Sequence, residues 1–266
     1  MTVRETSPPG FLKFALPLVT LACGIAIWEA AVRANNIPVY VLPAPSVVFA
    51  TLVEDWPLLF GSLLTTLWTT VQGFVAAAVG GIALAVLFSR SKWLEYALLP
   101  YAVILQVTPV IAIAPLLLIY LPQHVAVVAC AWIVAFFPVL SNTTLGLNSV
   151  DRNLLGLFQL YGASGAQTLR YLKLPSALPH ILGGLRIAGG LSLIGAVVAE
   201  IAAGSAGAGS GLAYRIAESG YRLNIPRMFA ALLLLSVAGI VIYWALSLVS
   251  HLVLRRWHES ALGKDS

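Results

Sequence analysis

Residues 162–179 read GASGAQTLRYLKLPSALP, a polar, two-part segment inside a chain that is otherwise mostly apolar. Just upstream, Asp151 can cap a helix whose apolar positions, Leu154, Leu155, Phe158 and Tyr161, recur at helical spacing. Gly162 suits the left-handed residue that closes such a helix. Ser164, followed three residues later by Gln167, forms a capping box that starts a second one. This second helix carries Leu169, Leu172 and Leu174 beside Arg170 and Lys173, and Pro175 is expected to stop it. Local chemistry alone leaves two roles open. Either the amphipathic piece lies in a lipid interface with its cations on phosphates, or its apolar face enters a groove on a partner.

The surrounding composition is that of a membrane protein. Of 266 residues, 60% are hydrophobic and 9% charged, against about 25% charged in soluble domains. Apolar runs long enough to cross a bilayer, about 20 residues, fall near 14–31, 63–88, 96–121, 125–147, 178–203 and 228–254. The first exceeds the apolar core of a signal peptide and is expected to stay as a helix. The expected fold is therefore an all-α integral membrane protein of about six spans. Its organisation is a cytoplasmic tail 1–12, a transmembrane domain 13–254 containing the loop 151–176, and a cytoplasmic tail 255–266.

Charge sets the orientation. With the N-terminus inside, Arg4, Lys13, Arg90, Lys92, Arg152, Arg170, Lys173, Arg255, Arg256 and Lys264 lie on the cytoplasmic side. Only Arg33, Arg215, Arg222 and Arg227 lie opposite, so the positive-inside rule puts both termini in the cytoplasm. The net charge of +5 is scattered, with no basic patch interleaved with aromatics, and nucleic acid is not expected as a partner.

The third span carries Pro100, Pro109 and Pro115. Each removes a backbone donor, and such kinks survive in a bilayer where protein or a watery cavity satisfies the freed carbonyls. That span either lines the bundle interior or is a kinked packing helix. The stretch 204–215, GSAGAGSGLAYR, has the composition of a flexible loop, and its partial glycine pattern follows no strand, which argues against a nucleotide site.

The segment 156–175 resembles the cytoplasmic loop of ABC importer permeases, whose pattern is Glu-Ala-Ala, three residues, Gly, nine residues, Ile-x-Leu-Pro. Gly162 matches the glycine, Leu172 stands for the isoleucine, and Leu174 and Pro175 complete the pattern at the family spacing. Gly156, Leu157 and Phe158 replace Glu-Ala-Ala, so a glutamate contact to a partner does not carry over. The stretch SALPHILGGLRIAGGLSLIGAVVAE, together with LPAPSVV at 42–48 and Trp28-Glu29, resembles the branch importing nitrate, aliphatic sulfonates, taurine, bicarbonate and pyrimidine precursors.

That resemblance implies a type I importer permease with a coupling helix between the fourth and fifth spans, in the bacterial inner membrane. It implies a second copy of the permease, cytoplasmic ABC ATPase subunits, an extracytoplasmic solute-binding protein and surrounding lipid as partners. Gly162, Ala163, Ser164, Gln167, Leu169, Leu172, Leu174 and Pro175 are the expected ATPase-coupling residues. The sequence has no G-x-x-x-x-G-K-S/T phosphate loop. No cofactor is expected on this chain, with ATP and Mg bound in the partner ATPase. The alternative is an ATPase-independent secondary transporter or channel, for which midplane coupling carboxylates and inverted repeats are the signs and are not found.

Thr108, Pro109, Ser141, Asn142 and Glu200 are the candidate pathway residues. The polar ones either meet a solute or satisfy backbone groups near the prolines. Glu200, an ionisable group in LIGAVVAEIAAG, either takes part in gating or hydrogen-bonds a neighbouring helix. Arg186 lies about 21 Å away along an ideal helix and is expected to snorkel to the cytoplasmic surface. Gly183, Gly184, Gly189, Gly190 and Gly195 give the fifth span a small-residue face for close approach. His124, His180, His251 and His258 have no metal-ligand spacing, and no catalytic constellation of nucleophile, base and orienting group stands out.

Overall fold

In lipid, helices gain nothing from burying one apolar face against another, so their association rests on close packing. The computed structural model, which describes residues 10–204 and 210–255, shows where that packing occurs. In chain order the helices are α1 (Gly10–Ala34), α2 (Pro45–Glu54), α3 (Trp56–Arg90), α4 (Lys92–Val107), α5 (Val110–Tyr120) and α6 (Gln123–Asn148). Then come α7 (Arg152–Leu160), α8 (Gly165–Thr168), a π-helical turn (Leu169–Lys173), α9 (Leu174–Ala203), α10 (Leu212–Tyr221) and α11 (Ile225–Leu254). No strand occurs among the described residues.

The core is the contact of α3, α6 and α9. A Cβ on Gly195 would stand 2.7 Å from the Cys130 carbonyl oxygen, and one on Gly81 2.9 Å from Val139 Cγ1. One on Gly184 would stand 2.8 Å from Asn142 Cβ. Around these approaches Ala77, Ala85, Phe88, Ala135, Val139 and Leu140 are buried. Of the five glycines expected to form a packing face, Gly184, Gly189 and Gly195 do so, whereas Gly183 and Gly190 face open space. By contrast α1 and α11 turn apolar side chains outward, Leu18 and Trp244 each being 67% exposed, as suits surfaces that meet lipid.

Five helices are long and apolar enough to span, and α4 with α5 forms a sixth span only as a broken pair bent by 99°. The third span is thus broken at one proline, not kinked at three. Thr108, ahead of Pro109, takes an extended backbone (φ −74, ψ 122), the conformation a following proline favours, and its hydroxyl donates to the Ile104 carbonyl at 2.6 Å. Pro100 and Pro115 sit inside α4 and α5.

Pro175 does not stop the helix that begins at Gly165, which runs unbroken to Ala203 as 39 residues. The π turn precedes the proline, with Leu174 N–H donating to the Leu169 carbonyl, five residues back. This wider turn relieves the clash between a proline ring and the preceding turn. The expected loop 204–215 is also shorter than its composition suggests, because Leu212–Arg215 already belong to α10; residues 205–209 lie outside the described residues.

The glycine contrast is testable. Gly195→Val is expected to overpack the α6 crossing and destabilise the purified protein by about 1–3 kcal/mol or more. Gly190→Val, which meets nothing, is expected to leave the melting temperature in detergent nearly unchanged. Equal melting of the two variants would contradict the packing described.

Candidate functional site

The segment between α6 and α9 is assembled from local hydrogen bonds. Asp151 Oδ1 accepts from Asn153 N–H at 2.7 Å and starts α7. At its end Gly162 N–H donates to the Gln159 carbonyl at 3.0 Å and Ala163 N–H to the Phe158 carbonyl at 2.9 Å, with Gly162 left-handed at φ +66. This is the Schellman arrangement that a glycine in this position favours. The capping box follows: Ser164 N–H donates to Gln167 Oε1 at 2.7 Å, and Gln167 N–H donates to Ser164 Oγ at 3.3 Å. Two helices are thereby held at a defined corner.

The structure divides the expected coupling residues. Gly162, Ser164 and Gln167 are exposed and Ala163 is half-buried. Leu169 and Leu172 are buried, Leu169 within the same core cluster as Phe88 and Leu147, and Leu174 packs against that cluster. These leucines therefore anchor the loop to the bundle and do not form its outer face. The outward apolar face lies on α7 and its cap: Leu154 and Leu157 are each 45% exposed, Leu160 86% and Tyr161 83%. Leu157 and Leu160 were not legible as surface residues, because a nine-residue helix with leucines on several sides does not reveal which side the bundle takes.

Behind α7 a groove of about 630 Å³ is lined by Ser89, Arg90, Leu155, Gln159, Ala163 and Lys173 among others.

The five pathway candidates fall in three places. Thr108 and Pro109 border a cavity of 330 Å³ at the α4–α5 break, together with Ile133, Pro138 and Leu191. Asn142 donates from Nδ2 to the Pro138 carbonyl at 2.8 Å, while the neighbouring Ser141 is exposed. Neither Ser141 nor Asn142 lines that cavity.

Glu200 stands apart, buried at 5% exposure between α3, α9 and α10. Its Oε2 accepts from Thr66 Oγ1 at 2.9 Å and from Ala213 N–H at 3.2 Å. Thr66, a threonine inside a span with no marked pattern around it, was missed in the sequence because its partner lies 134 positions away. No group of three metal-ligating side chains occurs among the described residues.

A bundle of spanning helices with a broken third span and a helix-glycine-helix corner ahead of the longest span fits one class, the type I ABC importer permeases. A chain of the methionine ABC transporter MetNI, solved in inward facing conformations, has the same fold, with a TM-score of 0.66 at 18% identity over 76% of this chain and 98% of that one. Residues 77–256 match the family described as binding-protein-dependent transport system inner membrane component, and the chain belongs to that family. The riboflavin transport system permease protein RibX of Chloroflexus aurantiacus is 32% identical over 91% of this chain and 90% of its own length. The formylaminopyrimidine transport permease protein ThiX of Halalkalibacterium halodurans is 34% identical over 86% and 91% respectively. The chain is a membrane permease component of an ABC importer for small solutes.

Removing the Glu200 side chain leaves the Ala213 amide without its buried acceptor and the Thr66 hydroxyl with the Ser62 carbonyl at 3.3 Å. Glu200→Ala is therefore expected to cost about 1–3 kcal/mol and to speed hydrogen exchange at the Ala213 amide. Unchanged exchange there would mean that the carboxylate does not hold α10.

Proposed function

We propose that two copies of this chain form the solute pathway, that ABC ATPase subunits dock on α7, and that an extracytoplasmic binding protein delivers the solute. The observation that carries this reading is the exposed stripe of Leu154, Leu157, Leu160 and Tyr161. It is joined through the Gly162 corner to a 39-residue helix that crosses the membrane. A helix laid with its apolar side in a groove is a recurrent docking mode, and a rigid corner lets its displacement reach the spans.

Charge specifies the partner's surface further. Arg90 and Lys173 line the groove behind α7 and form no salt bridge among the described residues, and Arg152 is exposed nearby. Asp151, the acid of this loop, is already engaged with Asn153 N–H. The family's glutamate position holds Gly156. The docking face of the ATPase is accordingly apolar with an acidic rim. ATP and Mg bind in that subunit, where hydrolysis takes place.

The chain sits in the inner membrane with both termini in the cytoplasm, as the distribution of basic residues favours. The solute belongs to the nitrate, sulfonate, taurine, bicarbonate or pyrimidine-precursor class, a reading that relatives named for formylaminopyrimidine, aliphatic sulfonates, nitrate and bicarbonate support, while the riboflavin relative lies outside it. The cavity at Thr108 and Pro109 is where a passing solute meets non-helical backbone, which a bilayer tolerates only beside protein or a water-filled space.

In cells with the partner ATPase inactivated, uptake should cease; continued uptake would identify a secondary transporter. Leu157→Asp with Leu160→Asp should abolish copurification of the ATPase while the permease still inserts and melts normally. Leu169→Asp with Leu172→Asp should instead damage folding, because both leucines are buried. Retention of the ATPase by the α7 variant would rule out docking there.

Orientation has its own test. In a Cys23→Ala background, a cysteine at Leu160 should resist an impermeant thiol reagent in intact cells, and one at Tyr221, 91% exposed, should react. The reverse pattern would invert the topology.

A further inference from the structure

At the end of α9 remote from the loop, two side chains from other helices perform a task that a helix usually leaves to its own N-cap. α10 begins after Gly211, which has no side chain to accept the first amide N–H groups. Leu212 N–H donates instead to Thr66 Oγ1 of α3 at 2.8 Å, and Ala213 N–H donates to Glu200 Oε2 of α9 at 3.2 Å. Thr66 Oγ1 in turn donates to the same carboxylate oxygen at 2.9 Å. Thr66 is fully buried and Glu200 nearly so. Glu200 thus supplies an acceptor at the end of α10 whose first amide N–H groups have no partner within the helix.

The backbone is shaped to this contact. A Cβ on Gly211 would overlap the Glu200 carboxyl group. One turn further along, Arg215 Nε donates to Ser62 Oγ at 3.2 Å, so Ser62 and Thr66, four residues apart on one face of α3, hold successive turns of α10. Leu212 is itself buried in a cluster with Leu59 of α3 and Ala230, Ala231 and Leu234 of α11. α10 thus closes the end of the bundle opposite the coupling loop.

α9 reaches this point as part of one unbroken helix. From Gly165 to Glu200 an ideal helix extends about 53 Å, more than the roughly 30 Å hydrocarbon core of a bilayer. Its first left-handed residue is Gly204, φ +59, where the helical hydrogen-bond ladder ends. Beyond it, side-chain bonds hold the start of α10 against α9. Glu200 engages through Oε2, and among the described residues Oε1 has no hydrogen-bond partner.

We propose that Thr66 and Glu200 are positioning residues for transport: they bind the start of α10 to α3 and α9, so that a displacement of the coupling loop carried along α9 moves α10 with it. This inference rests on the reading of the chain as an ATPase-driven permease whose loop docks the ATPase. Thr66→Val conserves shape and removes the hydroxyl that joins all three helices. Gly211→Ala pushes a methyl group into the Glu200 carboxyl group while leaving the Thr66 and Glu200 side chains chemically unchanged.

The test uses the full assembly of permease, ATPase and binding protein in proteoliposomes, with solute moved per ATP hydrolysed as the readout. Both variants should copurify with the ATPase and retain stimulated hydrolysis. The solute moved per ATP should fall in both variants, because hydrolysis continues while α10 no longer follows α9. Thr66→Ser, which restores the hydroxyl, should recover the wild-type ratio. A wild-type ratio in both Thr66→Val and Gly211→Ala would overturn the proposal. So would parallel loss of insertion or of hydrolysis in Thr66→Val, which would make the bonds a matter of stability. Failure of the wild-type permease to copurify with any ATPase would instead sink the docking reading, a result distinct from a normal assembly with an unaltered ratio.

Discussion

A bilayer offers no water to a backbone amide or carbonyl, and each such group must find its partner within the protein. Much of the detail in this chain follows from that demand. Thr20, Thr51, Thr65 and Thr69 all turn their hydroxyls back to carbonyls on their own helices. Thr108 does the same beside the break at Pro109, and Asn142 serves the Pro138 carbonyl. The π turn before Pro175 lets a helix keep its course through a residue that lacks a donor. At Gly211, where the local sequence offers no cap, the donors of α10 are met by Thr66 and Glu200.

The second demand is contact without a hydrophobic reward. α3, α6 and α9 meet through glycine and alanine because only small residues bring helix backbones near enough for dispersion to count. Cys130 and Ala131 lie directly under Gly195, and Ala177 lies under Gly146. Bulk is kept for the outside, where leucine, valine and tryptophan on α1 and α11 meet lipid. The buried core of this protein is therefore less bulky than its surface, the reverse of a soluble domain.

These two constraints produce a machine part. The corner between α7 and α8 is held by the left-handed Gly162 and the Ser164–Gln167 capping box, and the helix leaving it runs from Gly165 to Ala203 without a break. Leu169 and Leu172 fasten the corner to the core, leaving the leucines of α7 free at the surface. The chain belongs to the binding-protein-dependent permease family and shares its fold with the methionine transporter chain.

Residue pattern by itself determined what local chemistry controls. Six apolar runs, the Asp151 cap, the left-handed Gly162 and the Ser164–Gln167 box all depend on neighbours within a few positions, and each was legible. So was the family, since the Gly-to-Pro spacing is itself a local pattern. Tertiary structure decided the rest. Whether Pro175 ends a helix depends on a wider turn before it, and which leucines of the loop stay exposed depends on where Phe88 and Leu147 stand. Glu200 could be recognised as costly, but its partners lie on α3 and α10, brought together only when the helices pack. A hydrogen bond between residues 134 positions apart leaves no periodicity in the chain, because its geometry is set by the crossing of helices and not by their sequence.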